Sequence, residues 1–160
     1  MARLSAGILM YRRRGAAVEF LLVHPGGPFW RSKDLGAWSL PKGEHGAGED
    51  PLAAAKREFA EELGSALPAR AFLDLGAIKQ PGGKTITAFA VEGDFDPATL
   101  KSNPFALEWP PKSGRTQTFP EVDRAQWFSP AEAREKIHPG QAGFIARLLE
   151  SLGQESGLQP

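Results

Sequence analysis

The stretch that decides the fold runs Gly43-Glu44-His45-Gly46-Ala47-Gly48-Glu49-Asp50-Pro51-Leu52-Ala53-Ala54-Ala55-Lys56-Arg57-Glu58-Phe59-Ala60-Glu61-Glu62-Leu63-Gly64. Asp50 is a good helix N-cap, Pro51 suits the first helical position, and Gly64 is a natural terminator. Between them Leu52, Ala55, Phe59 and Leu63 recur at spacings of three and four, which predicts one apolar stripe. Glu58, Glu61 and Glu62 share a different sector of the same helix. Like charges packed at these spacings repel, so a helix selected for stability alone would avoid them. A divalent cation removes that repulsion, and oxygen-only ligands select hard ions such as Mg²⁺ or Mn²⁺. A solvated acidic face is the other reading of the three glutamates taken alone.

Outward from this helix the chain reads as short strands and turns. Leu4–Tyr11 and Val18–His24 are apolar runs separated by Gly15, which predicts a hairpin. Trp38-Ser39-Leu40 is a brief extended piece ended by Pro41. Leu73–Lys79 and Thr85–Val91 flank Gln80-Pro81-Gly82-Gly83-Lys84, a second hairpin. Ala125–Phe128 reads as a strand, followed by a helix capped by Ser129 with Pro130 at its first position, and Gln141–Leu152 as a last helix. Asp94–Arg115, with Pro97, Pro104, Pro110 and Pro111, is expected to stay out of regular pairing. Its length and its Lys101, Lys112 and Arg115 suggest a mobile flap ordered by an anionic ligand. Antiparallel hairpins alternating with helices argue for an α+β or α/β sandwich. One domain is expected over residues 1–152, with a flexible tail over 153–160.

Composition narrows the function. The 160 residues carry 19 basic and 19 acidic side chains, so no global positive field exists to hold nucleic acid. The absence of cysteine excludes disulfides, Cys-ligated zinc and thiol catalysis. The early apolar run Ala6–Tyr11 is too short for a signal core or a membrane span, so a cytoplasmic location is expected. Arg12, Arg13 and Arg14 read as a solvated turn. His24, His45 and His138 lie far apart, and each is read as structural or exposed.

Gly43, Glu49, Arg57, Glu58, Phe59, Glu61, Glu62 and Gly64 match the pattern Gly-x5-Glu-x7-Arg-Glu-U-x-Glu-Glu-x-Gly, where U is apolar. At average residue usage such a match arises by chance on the order of once in ten million chains of this size. The chain resembles the Nudix hydrolases, and Trp38-Ser39-Leu40-Pro41-Lys42-Gly43-Glu44 is similar to that family's approach to its box. Ser65 departs from the apolar residue that usually closes the box, leaving Ala66 or Leu67 to fill the core position. The resemblance implies a mixed sheet between helices, an α/β/α sandwich with a loop–helix–loop box. It also implies a metal-dependent hydrolase of a phosphoanhydride in a nucleoside diphosphate linked to another group. Glu61 and Glu62 would be metal ligands joined by the Gly43 carbonyl, and Glu58 a ligand or the base that activates water. Arg57 and Glu49 would orient the glutamates, and Lys42 could meet a phosphate oxygen. Phe29 and Trp30, in a Gly-Pro loop, are candidates for stacking a base, as is Trp109.

A hard ion takes about six oxygens, more than one helix face provides. The resemblance implies an acidic residue from a later loop, and Glu121, shortly before Trp127-Phe128, fits better than Glu108 or Glu92. For the substrate, Gly83-Lys84-Thr85-Ile86-Thr87-Ala88-Phe89 is similar to small dinucleoside polyphosphate hydrolases. Nucleoside triphosphates, ADP-ribose and nucleotide sugars stay open, since Tyr11 is the only tyrosine and Pro81 fits a turn as well as a specificity residue. A catalytically silent nucleotide-binding domain is the reading from another class. The presence of all three box glutamates argues for catalysis.

Replacing Glu61 or Glu62 with Gln should lower turnover by roughly 100-fold or more, because it removes charge from the expected metal shell. The metal-free protein should remain folded and gain stability, since one repulsive pair is gone. Steady-state kinetics at limiting Mg²⁺, with thermal melts of the metal-free variants, check both halves.

Overall fold

Alternation in the first hairpin builds the centre of the molecule. β1 (Arg3–Arg14) and β2 (Ala17–Pro25) pair antiparallel, with Tyr11 opposite Phe20 and Arg14 opposite Ala17. Successive strand side chains point to opposite faces. Ala6, Ile8, Met10, Leu21 and Val23 accordingly face one core, and Leu9, Phe20 and Leu22 face another. A strand buried on both faces needs helices on both sides, and this computed structural model, which describes residues 3–67 and 71–153, has them.

β3 (Lys42–His45) runs antiparallel to the first residues of β1, with Gly43 opposite Ala6. Next comes α1 (Pro51–Leu63), then β4 (Leu73–Lys79) and β5 (Lys84–Glu92). β5 runs parallel to β1 along its length and antiparallel to β4, so the sheet is mixed, in the order β4-β5-β1-β2. β6 (Pro104–Glu108) and β7 (Thr116–Pro120) form a separate two-stranded hairpin. β8 (Val122–Phe128) returns to the main sheet beside β2. α2 (Pro130–Lys136) and α3 (Ala142–Ser151) finish the described chain.

Two cores result. α1 buries Ala54, Ala55, Phe59 and Leu63 against β1, β2 and Phe95. On the opposite face Phe144, Ile145, Leu148 and Leu149 of α3 and Ala133 of α2 pack on Leu9, Phe20 and Trp38. The arrangement is the α/β/α sandwich expected. Full burial of side chains such as Phe59 and Leu63 is worth about 1.5–3 kcal/mol each.

The local signals hold at both predicted caps. The Asp50 carboxylate accepts from the Ala53 N–H at 3.0 Å. Ser129 and Glu132 form a reciprocal capping box, which accounts for the start of α2. Leu67 packs against the α1 core, while Ser65 and Ala66 are exposed, so the missing apolar residue at the end of the box is made good two positions later.

One expectation is corrected. The segment 94–115 was expected to escape regular pairing because of its prolines, yet residues 104–108 pair with 116–120. Pro104 and Pro120 sit opposite each other at one end of the ladder, where a missing N–H costs little, and Pro110 and Pro111 lie in the turn. Phe105 and Leu107 give β6 one partly buried face, continued by Trp109 just beyond it, a strand signal that the prolines obscured. The expected tail lies outside the described residues beyond Gly153. No helix among the described residues is long and apolar enough to cross a membrane.

Gly64 ends α1 with φ of 77° and donates its N–H to the Ala60 carbonyl at 2.8 Å. An added Cβ would collide with the Lys101 carbonyl. Gly64→Ala should therefore destabilise the fold by about 1–3 kcal/mol. Gly46→Ala, whose Cβ would enter open space, should stay within about 0.5 kcal/mol of wild type. Urea denaturation of the two variants makes the comparison.

Candidate active site

Because α1 buries its apolar stripe, its acidic sector faces outward beside β3. Glu58, Glu61 and Glu62 line a cavity of about 290 Å³ whose other walls are Lys42, Gly43, Asn103, Pro104 and Glu121. The fold thus brings together the three box glutamates, Gly43, Lys42 and the later carboxylate Glu121. Of the competitors, the Glu108 carboxylate accepts from the Gly114 N–H within its own hairpin, and Glu92 lies 3.9 Å from Arg13.

The second carboxylate layer is also in place. Arg57 donates through Nη2 to both oxygens of Glu49 at 3.1 Å and through Nη1 to Glu58 Oε2 at 2.9 Å. Glu61 lies 3.9 Å from the same Nη1. One guanidinium therefore orients Glu58 between Glu49 and Glu61. Gly43 explains its own identity, since a Cβ there would occupy the space of the Glu58 carboxylate.

Burial and neighbouring like charges act together on the carboxylates of the cavity. Burial is the main cause that raises the Glu58 pKa, helped by the charges of Glu61 and Glu121 and opposed by Arg57. Glu62 is pushed up to about 8, first by burial, with Glu58 and Glu121 adding to the rise and Lys42 opposing it. The Lys42 ammonium is depressed by burial and by the neighbouring charge of Lys84, while Glu62 works the other way.

These residues fit a divalent cation. The donors are oxygens only, the Gly43 notch leaves Glu58 close to the backbone, and the mutual repulsion of the carboxylates is what a cation would relieve. Among the described residues, no three His, Cys, Asp or Glu side chains have their donor atoms already gathered about one point. Glu58, Glu61, Glu62 and Glu121 line the walls of the cavity.

The other expected residues fall elsewhere. Phe29 and Trp30 line neither this cavity nor its neighbour: Phe29 is 58% exposed and meets Trp109 edge-on at 5.2 Å, and Lys33 lies 6.0 Å from the Trp30 ring centre. His24 is structural as expected, fully buried, with its ring nitrogens 2.8 Å from Asp123 and 2.7 Å from the Lys33 carbonyl. Sequence reasoning missed a second cavity, of about 390 Å³, lined by Arg3, Lys42, Gln80, Pro81, Lys84, His138 and Gln141. These come from β1, β3, the β4–β5 turn, the start of β5 and the α2–α3 connection, so no local spacing announces them. Asn103 was missed for the same reason.

The pH dependence of the metal-free fold follows from Glu62. In the unfolded chain its carboxyl ionises near 4.5, whereas in the fold it keeps its proton to about 8. The folded state binds more protons between those values, so stability should fall as pH rises through that window. Chemical denaturation of the metal-free protein at pH 5 and pH 8 reads this out, and Glu62→Gln should flatten the difference.

The sequence matches the NUDIX domain family over residues 1–148. No curated protein matches it. Among solved structures, a Caenorhabditis elegans Ap4A hydrolase in a binary complex is 18% identical, with a TM-score of 0.61 over 93% of this chain and 98% of its own. The NUDIX domain of Shewanella oneidensis NrtR, complexed with ADP ribose, is 15% identical with a TM-score of 0.63, covering 95% and 89%. A mutT/nudix family protein from Listeria innocua is 14% identical with a TM-score of 0.61, covering 94% of each chain. At these identities the likeness is one of fold. With the complete glutamate box and the family match along nearly the whole chain, this protein belongs to the Nudix family.

Proposed function

We propose that the protein cleaves a phosphoanhydride bond in a nucleoside diphosphate linked to another group, with Mg²⁺ as its cation and Mn²⁺ as a substitute. Dinucleoside polyphosphates, diadenosine tetraphosphate among them, are the favoured class. The observation that carries this reading is the junction at Lys42. The cavity walled by four glutamates and the cavity walled by Arg3, Lys84 and His138 share this residue. An acidic cavity suited to a cation thus adjoins a basic one suited to anionic oxygen. A substrate with several consecutive phosphates spans that change of sign, one end at the cation and the other among the lysines.

In this reading Glu58, Glu61, Glu62, Glu121 and the Gly43 carbonyl hold the metal. When bound, the metal would supply positive charge against the charge developing on the phosphates and would acidify a water. The chain's own groups do the rest. Arg57 and Glu49 keep Glu58 oriented, and its carboxylate would accept the proton of the water. The water oxygen forms a bond to phosphorus, the bridging P–O bond breaks, and the departing phosphate carries the electron pair. Lys42 and Lys84 hold the phosphates beyond the scissile bond by charge-assisted hydrogen bonds. The substrate is a small nucleotide, and no nucleic-acid partner is proposed.

Purified protein incubated with Mg²⁺ and a panel of nucleoside triphosphates, diadenosine polyphosphates, ADP-ribose and nucleotide sugars, with products identified by mass, tests the reading. Diadenosine tetraphosphate should be split into two nucleotides. Lys84→Met should raise its KM about tenfold or more, the worth of one charge-assisted hydrogen bond, and leave ADP-ribose hydrolysis nearly unchanged. A preference for ADP-ribose that ignores Lys84 would move the substrate to the nucleotide-sugar class. Nucleotide binding without Mg²⁺ and without product would identify a silent binding domain.

A further inference from the structure

The β6–β7 hairpin is rooted at the acidic cavity. At its foot the Asn103 N–H donates to the Glu61 carbonyl at 3.0 Å, the Glu121 N–H to the Asn103 carbonyl at 2.9 Å, and the Gly26 N–H to the Glu121 carbonyl at 2.9 Å. This backbone relay joins α1, the start of β6, the residue after β7 and the residue after β2. The Val122 N–H donates to Ser102 Oγ at 3.0 Å, tying down the next residue as well.

From the foot outward, the hairpin leans on the segment Gly26-Gly27-Pro28-Phe29. A Cβ on Gly26 would collide with the Pro120 carbonyl. Gly27, with φ of 96°, lets the Phe105 ring approach to 3.0 Å of where its Cβ would stand. Phe29 meets Trp109 edge-on at 5.2 Å with the rings 80° apart. These contacts run in order from the carboxylate end to the tip. The tip itself is held, for Gln117 Nε2 donates to the Trp109 carbonyl at 2.9 Å and the Trp109 N–H to the Arg115 carbonyl at 2.9 Å. An isolated two-stranded hairpin is marginal in water, so this docking decides whether the hairpin stands.

We infer that the Gly26–Phe29 segment and the β6–β7 hairpin form a strut, closed by the Phe29–Trp109 pair, that holds Glu121 at the acidic cavity. Phe29 and Trp109 are then positioning residues, acting on the cation site through Glu121. This inference rests on the reading of Glu121 as a metal-shell residue. It replaces a flap that closes over substrate with a support already standing before substrate arrives.

The test measures Mn²⁺ affinity of the protein without substrate, by electron paramagnetic resonance, beside kcat and KM on the substrate found in the panel. Trp109→Ala and Phe29→Ala should each weaken Mn²⁺ binding and lower kcat about tenfold, the range seen when support of a metal ligand is removed. Trp109→Phe, which keeps an edge contact, should restore both. In a Glu121→Gln background Trp109→Ala should add no further loss, since both changes act through one carboxylate. Phe29 is exposed, so its variant keeps the test open should Trp109→Ala fail to fold. Wild-type Mn²⁺ affinity and kcat in both alanine variants would overturn the strut. So would a rise in KM alone, which would assign the rings to substrate binding, or a full loss persisting in the Glu121→Gln background. A Glu121→Gln variant that binds Mn²⁺ like wild type would overturn the underlying site reading, and the strut with it.

Discussion

The seating of α1 on the sheet is the constraint from which the site follows. Ala54, Ala55, Phe59 and Leu63 are buried against β1 and β2, and this fixes the rotation of the helix about its axis. Glu58, Glu61 and Glu62 share that rotation, so they meet β3 whether or not the encounter is electrostatically welcome. The notch at Gly43 makes the meeting sterically possible, because Glu58 needs the space that a Cβ would fill. Gly43 is itself held in register by the pairing of β3 with β1. Hydrophobic burial on one side of a helix thus holds a repulsive cluster in place on the other. The energy scale makes this workable, since full burial of each large apolar side chain contributes about 1.5–3 kcal/mol.

Charge is partitioned more finely than the neutral total suggests. Four carboxylates gather on one side of Lys42, and Arg3 and Lys84 on the other. Lys42 feels both, depressed by burial and Lys84 and supported by Glu62. Such a boundary suits a substrate that carries dense negative charge and needs a cation at one end only.

The β6–β7 hairpin shows how an element with little core of its own gains definition. Its cross-strand pair Phe105–Phe119 has ring centres 6.1 Å apart, and its remaining stability comes from leaning on a loop of two glycines and a phenylalanine. The loop is therefore constrained by the hairpin as much as the hairpin by the loop. The Gly-Gly-Pro-Phe segment, which reads in the sequence as a loop, is the surface on which another element rests.

Local chemistry made much of this legible in the sequence alone. Caps at Asp50, Gly64 and Ser129, the stripe ending in Phe59 and Leu63, and the alternation in the two main-sheet hairpins each depend on neighbours within a few residues. The glutamate spacing was equally readable, because a helix converts separation directly into angle. Three things waited on the tertiary structure. Prolines at 104 and 120 concealed a strand pair, because their cost depends on where the ladder ends and not on their presence. The approach of Glu121 to Glu58 and Glu62 depends on a hairpin folding back across the end of α1. The basic cavity is assembled from β1, β3, the β4–β5 turn, the start of β5 and the α2–α3 connection, residues as far apart as Arg3 and Gln141. Spacing along a chain governs what a helix or a hairpin displays, but which displayed groups meet is set by how the layers pack, and that is decided by burial summed over the whole chain.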